Sequence, residues 1–122
     1  MNYDKYLQGI SEACEHTNHL MSVEDIIGSL EKGDSILKDF GDGFAIYDSV
    51  QSKTGLLIRI KVIAGSNMEQ WIDQVDQEAM LLATQYKAIG IIAIGRTGWK
   101  RECLKRNYKT THSIFYKDVD HA

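Results

Sequence analysis

The chain has 122 residues, 43% of them hydrophobic and 25% charged, with ten glycines, no proline and two cysteines. That balance excludes collagen-like and disordered chains and suits a single domain spanning 1–122. Apolar runs such as Ile89 to Ile94 fall far short of the roughly 20 residues a membrane span requires. The opening MNYDKYLQG has no basic segment followed by an apolar one, so secretion is not expected and a reducing cytoplasm is the natural compartment.

Cys14 and Cys103 stand far apart in no CxxC spacing, which suggests neither a disulfide framework nor a structural zinc site. Of the four histidines, His16, His19, His112 and His121, only the first two lie at a spacing a metal could bridge, and no metal is expected. The formal charge of -3 is unevenly spread. From residue 93 onward Arg96, Lys100, Arg101, Lys105, Arg106, Lys109 and Lys117 face only Glu102, Asp118 and Asp120, a local +4 on a body carrying −7. A basic end favours an anionic partner, nucleic acid among them, and the competing reading is a solvated helix face.

In chain order, Tyr3, Tyr6, Leu7, Ile10, Ala13, Cys14 and Thr17 recur at three- and four-residue steps, the stripe of a first helix. Ser22-Val-Glu-Asp25 approaches a capping box, Ile26, Ile27 and Leu30 give a second stripe, and Gly33 sits where that helix would stop. These helices occupy 1–33, and a sheet follows over 34–119.

Ser35 to Phe40 and Phe44 to Val50 read as strands about the Gly41-Asp42-Gly43 turn. Leu56 to Ile63 alternates as a half-buried strand, with Leu56, Ile58, Ile60 and Val62 on one face and Leu57, Arg59 and Lys61 on the other. Arg59 and Lys61 are expected to face solvent. The longest helix spans 67–89, with Trp71, Ile72, Val75, Ala79, Leu82, Ala83 and Tyr86 as its stripe and Gly90 as its stop. Residues 91–95 form an apolar central strand. A short basic helix runs from about Gly98 to Arg106, and Tyr108 to Val119 alternates as a last strand. Strands on either side of the long helix make a βαβ unit, so the fold class is α/β (α+β) with a mixed sheet.

The run from LLIRIKVI through the long helix to IIAIGRTGWKRECLKRNYK resembles the N-acetyltransferase (GNAT) fold over residues 35–119. Ala64-Gly65-Ser66-Asn67-Met68-Glu69-Gln70-Trp71, Gly95-Arg96-Thr97-Gly98-Trp99 and Asn107-Tyr108 are similar to patterns in small GNAT-like bacteriophage proteins, some of which resemble internal virion proteins of short-tailed phages. The resemblance implies a mostly antiparallel sheet with one splayed parallel strand pair, flanked by helices. It also implies a place in the host bacterial cytoplasm or virion interior.

Acetyl transfer from acetyl-CoA to a small acyl acceptor needs a diphosphate cradle, a base and an acid. The family cradle loop maps onto Ile63, Gly65, Ser66 and Asn67; it has one glycine, and Glu69 stands in its first turn. Arg96, between Gly95 and Gly98 at the carboxyl end of a strand, is a candidate clamp for a phosphate or carboxylate, and the competing reading is a tight turn anchored by Trp99 in the core. An ordinary helix cap made by Ser66 or Asn67 is the competing reading. The expected strand base is absent from LLIRIKVI. The family acid, a tyrosine five residues before the packing aromatic, falls on Cys103, whose competing role is helix packing. Tyr108 is the packing aromatic, and Asn107 takes the left-handed conformation glycine has in relatives.

Three readings stay open. The first is a GNAT-fold phage-type protein with a degenerate acyl-CoA site, needing no cofactor and binding phage virion proteins or another partner. The second is a divergent acetyl-CoA-dependent N-acetyltransferase. The third is nucleic-acid contact through Arg96, Lys100, Arg101, Lys105 and Arg106.

Overall fold

A computed structural model describes residues 2–16, 21–93, 100–110, 117 and 119. After a 3-10 turn at Asp4–Tyr6 come α1 (Leu7–His16), α2 (Val23–Lys32), β1 (Ile36–Asp39), β2 (Gly43–Gln51) and β3 (Leu56–Gly65). A second 3-10 turn, Met68–Gln70, leads to α3 (Ile72–Tyr86), β4 (Gly90–Ala93) and α4 (Lys100–Lys105). The sheet order is β1-β2-β3-β4; β2 runs antiparallel to both β1 and β3, and β4 lies parallel to β3. The mixed sheet and its parallel pair are those expected from the sequence. The alternating stretch after Tyr108 falls mostly outside the described residues. No described helix is long and apolar enough to cross a membrane.

Local signals set α2. Ser22 is extended, and its hydroxyl accepts the Asp25 amide at 3.1 Å, satisfying one of the donors a helix start leaves open. Gly33, at φ +81°, closes the helix while the Asp34 amide reaches back to the Ser29 carbonyl. The long helix is shorter than its apolar spacing suggests. It stops at Tyr86 because Lys87 takes the left-handed conformation (φ +56°) and the Ala88 amide bonds the Ala83 carbonyl at 2.8 Å. Gly90, expected as the stop, opens β4 instead.

Both sheet faces are covered. Ala45 and Tyr47 of β2 and Ile58 and Ile60 of β3 pack against Trp71, Val75, Ala79 and Leu82. Phe44 and Ile46 pack the other way, against Ile10, Cys14, Ile26 and Leu30 of the N-terminal helices. Val62 belongs to this second cluster, contrary to the uniform alternation expected for β3. Tyr47 pairs with Ile60 and Ile46 with Val62, leaving Lys61 as an extra residue. Such a bulge changes the parity of the strand, so Val62 crosses to the α1 side and Ile63 turns to the α3 side.

Arg59 and Lys61 do not face solvent either. The Arg59 guanidinium donates to both Asp48 carboxylate oxygens, at 2.7 Å from Nε and 2.5 Å from Nη2, while the Lys61 ammonium lies 3.6 Å from the same group. The Lys61 side chain is 13% exposed and that of Asp48 10%. An acid one strand away makes burial of the two bases tolerable.

Helix α1 approaches the sheet at a glycine. A Cβ on Gly9 would fall 2.8 Å from both the Ala64 Cβ and a Phe44 ring carbon, while Leu7, expected in the buried stripe, is 39% exposed. Gly9→Ala must push α1 off the sheet, and urea denaturation should show a loss of about 1–3 kcal/mol.

The preceding turn is docked by Asp39, which accepts from Lys5 Nζ at 3.0 Å, the Tyr6 hydroxyl at 2.8 Å and the Gly41 amide at 2.8 Å. The Gly41 amide first, then Tyr6 and Lys5, hold its carboxyl at about 2, below the ordinary 3.8. A depressed carboxylate stabilises the fold above its unfolded value and loses that contribution as pH falls through the folded one. The stability difference between the native chain and Asp39→Asn should therefore be full above pH 4 and shrink towards pH 2, as read by denaturation at each pH. A difference independent of pH would contradict the docking role.

Candidate functional site

Among the described residues, β3 pairs with β4 over Leu57–Ile60 against Gly90–Ala93. Beyond Ile60 comes the bulge, and β3 continues to Gly65 before the chain turns towards α3. The carboxyl end of a strand beside a parallel neighbour is where α/β sheets collect ligands.

The loop there is built on the β1–β2 turn. Gly65 has φ +136°, and a Cβ on it would lie 2.3 Å from the Gly43 Cα and 2.4 Å from the Asp42 carbonyl oxygen, so only glycine fits. The Ser66 amide donates to that carbonyl at 3.0 Å, and the Asn67 Nδ2 donates to the Asp42 carboxylate at 3.2 Å. Trp71, 2% exposed, lies over Gly43, stacks on Phe40 at 5.7 Å and donates its indole N–H to the Ser66 carbonyl at 2.8 Å.

Asn67 is left-handed (φ +54°, ψ +41°) and leads into the 3-10 turn, where the Gln70 amide bonds the Asn67 carbonyl at 3.0 Å. The amides of Asn67, Met68 and Glu69 precede that first internal bond and meet no backbone acceptor among the described residues. A left-handed residue followed by a helical turn gathers successive amides into an anion-binding concavity. Neither Ser66 nor Asn67 caps a helix with its side chain, which departs from the competing cap reading: Asn67 is pinned to Asp42 instead, and α3 begins only after Trp71 (φ −132°) breaks the turn. The Asp42 carboxylate is a feature of this loop that sequence spacing missed, although Gly-Asp-Gly did mark its turn.

An open cleft of about 310 Å³ adjoins the loop, between the first turns of the N-terminal helix and the β1–β2 turn. Tyr6 and Phe44, in edge contact at 4.9 Å, Glu12, Asp39, Asp42 and Gly65 line it.

The remaining candidates sit on or near α4. Burial pushes the Cys103 thiol up, Asp76 and Glu102 push the same way, and Arg106 opposes them, so the group stays protonated at neutral pH. Asn107 is left-handed (φ +68°), and the Tyr108 amide bonds the Cys103 carbonyl at 3.1 Å, closing α4 as the Asn-Tyr pair implies. Tyr108 packs against the α3 core and donates its hydroxyl to Asp76 at 2.8 Å; burial and that bond hold the phenol protonated.

Among the bases, Arg106 is taken up by Asp73 at 2.7 Å and Glu102 at 2.8 Å, and Lys105 lies 3.6 Å from Glu102. Arg101 is exposed and Lys100 opens α4. Ile63 packs against the α3 core beside the loop. Arg96 and the rest of Gly95–Trp99 lie outside the described residues, as do His19, His112 and His121. Among the described residues no three potential ligands cluster to hold a metal.

No protein-family model matches the chain, and neither does any curated protein. Solved structures do. A probable acetyltransferase superposes with a TM-score of 0.63 at 11% identity, over 98% of this chain and 94% of its own. An acetyltransferase from Trypanosoma brucei gives 0.62 at 10% identity, over 94% of each. Glucosamine-6-phosphate N-acetyltransferase from Arabidopsis thaliana gives 0.62 at 14% identity, over 96% of this chain and 92% of its own. With its antiparallel strands, its one parallel pair and the long helix between, this chain has the GNAT acetyltransferase fold.

Proposed function

We propose that this chain is an N-acyltransferase that takes its acyl group from acetyl-CoA. The observation that carries the reading is the run of amides at Asn67, Met68 and Glu69 that meet no backbone acceptor among the described residues, on a chain that matches acetyltransferases over almost its whole length. The backbone of this loop suits a diphosphate, because a left-handed residue followed by a helical turn leaves three successive amides without backbone acceptors on a loop held by Asp42 and Trp71. The Asp42 and Glu69 carboxylates nearby lower the affinity without closing the site. Acetyl-CoA supplies an activated thioester carbonyl to an amine.

In this reading the 67–69 amides and the Ser66 hydroxyl hold the diphosphate, and Arg96 adds a cation. The protonated Cys103 thiol serves as the acid for the departing thiolate. No acid stands among Leu56 to Ile63, and Asp48 is engaged by Arg59 and Lys61, so the proton of the incoming ammonium passes to water.

That engagement of Asp48 also favours a second reading, a binding scaffold that keeps the fold without turnover, as a virion-associated or partner-binding protein would. A nucleic-acid role is weakened by the ion pairs that neutralise Lys105 and Arg106.

Calorimetry with acetyl-CoA, paired with thiol release on an amine substrate, separates these readings. The acyltransferase predicts binding together with release, and about 100-fold slower release in Cys103→Ala at unchanged affinity. Binding without release supports the scaffold. No binding at millimolar acetyl-CoA overturns the acyltransferase reading.

A further inference from the structure

We propose that Asp76 of α3 is a positioning residue for the proposed acid Cys103, acting through Tyr108 and through a carboxylate charge that no cation neutralises. The inference rests on the acyltransferase reading, and its test reads the thiol itself, so the two can fail separately.

Helix α4 has six residues, and its place against α3 is set by the segment that follows Cys103. Asn107 turns left-handed and brings the Tyr108 amide back to the Cys103 carbonyl at 3.1 Å. The Tyr108 ring packs against the α3 core, and its hydroxyl donates to Asp76 Oδ1 at 2.8 Å. One turn earlier on α3, Asp73 takes the Arg106 guanidinium at 2.7 Å. Residues three apart on a helix share a face, so two carboxylates of α3 clasp the chain just beyond the thiol.

The two clasps differ in charge. Asp73 is 76% exposed and paired with a cation. Asp76 is half-buried, receives the neutral Tyr108 hydroxyl, and meets no cation among the described residues. Burial is the first cause that holds the Cys103 thiol and the Tyr108 phenol protonated, and the Asp76 charge acts on both in the same direction. From the chain of α4 itself, Arg106 opposes and Glu102 reinforces that effect on the thiol. Tyr47 of β2 spends its hydroxyl on the Val75 carbonyl at 2.9 Å and stays neutral.

As the thioester C–S bond breaks, the S–H proton of Cys103 passes to the departing sulfur, and the thiolate left on Cys103 takes a proton from water. The Asp76 charge disfavours that thiolate, so it returns the proton and keeps the acid loaded at alkaline pH, where an ordinary thiol ionises.

Alkylation of Cys103 by iodoacetamide is followed across pH on the full chain, resolved from Cys14 by peptide mass, with thermal melts as a folding control. Asp76→Asn keeps an oxygen for the Tyr108 hydroxyl and removes the charge, so the midpoint of the alkylation profile should fall by about one pH unit. Tyr108→Phe keeps the ring and leaves the Asp76 charge unshared, so its midpoint should rise. The alkaline loss of thiol release on an amine substrate should move in the same direction as the midpoint in each variant.

Midpoints that stay in place, or that fall together in both variants, are what a purely structural clasp gives, and they would overturn the inference alone. Should Asp76→Asn fail to fold, Tyr108→Phe decides by the same sign: a rise supports the inference and anything else overturns it. Thiol release absent from the native chain would overturn the acyltransferase reading, and the acid role with it, whichever way the midpoints move.

Discussion

Lys61 has no register partner on β2, and the direction in which the rest of β3 faces follows from that one extra residue. Before it, Ile58 and Ile60 point into the core under α3; after it, Val62 points into the core under α1 and α2. Each cluster takes residues from the same strand, and burying such side chains contributes about 1.5–3 kcal/mol apiece. Without the bulge, plain alternation would carry Val62 to the α3 side and Ile63 to the α1 side. The bulge also follows the last described pair of the β3–β4 ladder, Ile60 with Ala93.

Past the bulge, the loop that carries the candidate site takes its shape from the β1–β2 turn. Gly43 and Gly65 touch, Trp71 covers Gly43, and Asp42 receives both Ser66 and Asn67. Few of these contacts are local in sequence. The same packing that holds the loop brings the Asp42 carboxylate to the Asn67 side chain.

Features that depend on neighbouring residues could be read from the sequence, and those that depend on a partner strand could not. Ser22 and Gly33 bound α2 because cap chemistry is local, and Asn107 closes α4 for the same reason. The end of α3 was hidden because Lys87, not a glycine, takes the left-handed turn, and only the Ala88–Ala83 bond reveals it. The Lys61 bulge needs the register with Ile46 and Tyr47, and the burial of Arg59 and Lys61 needs Asp48 on the next strand. The place of Gly65, Ser66 and Asn67 between strand and helix was legible. Asp42 was not, since no spacing rule links a hairpin turn to a loop more than twenty residues on.

Methyl-to-methyl nuclear Overhauser spectra of the isoleucine-, leucine- and valine-labelled chain test the crossed parity of β3 most directly. The structure predicts cross-peaks from Val62 to Ile10, Ile26 or Leu30, and from Ile60 to Val75 or Leu82. Cross-peaks from Val62 to Val75 or Leu82 would mean an unbroken alternation, and would contradict both the bulge and the loop geometry built beyond it.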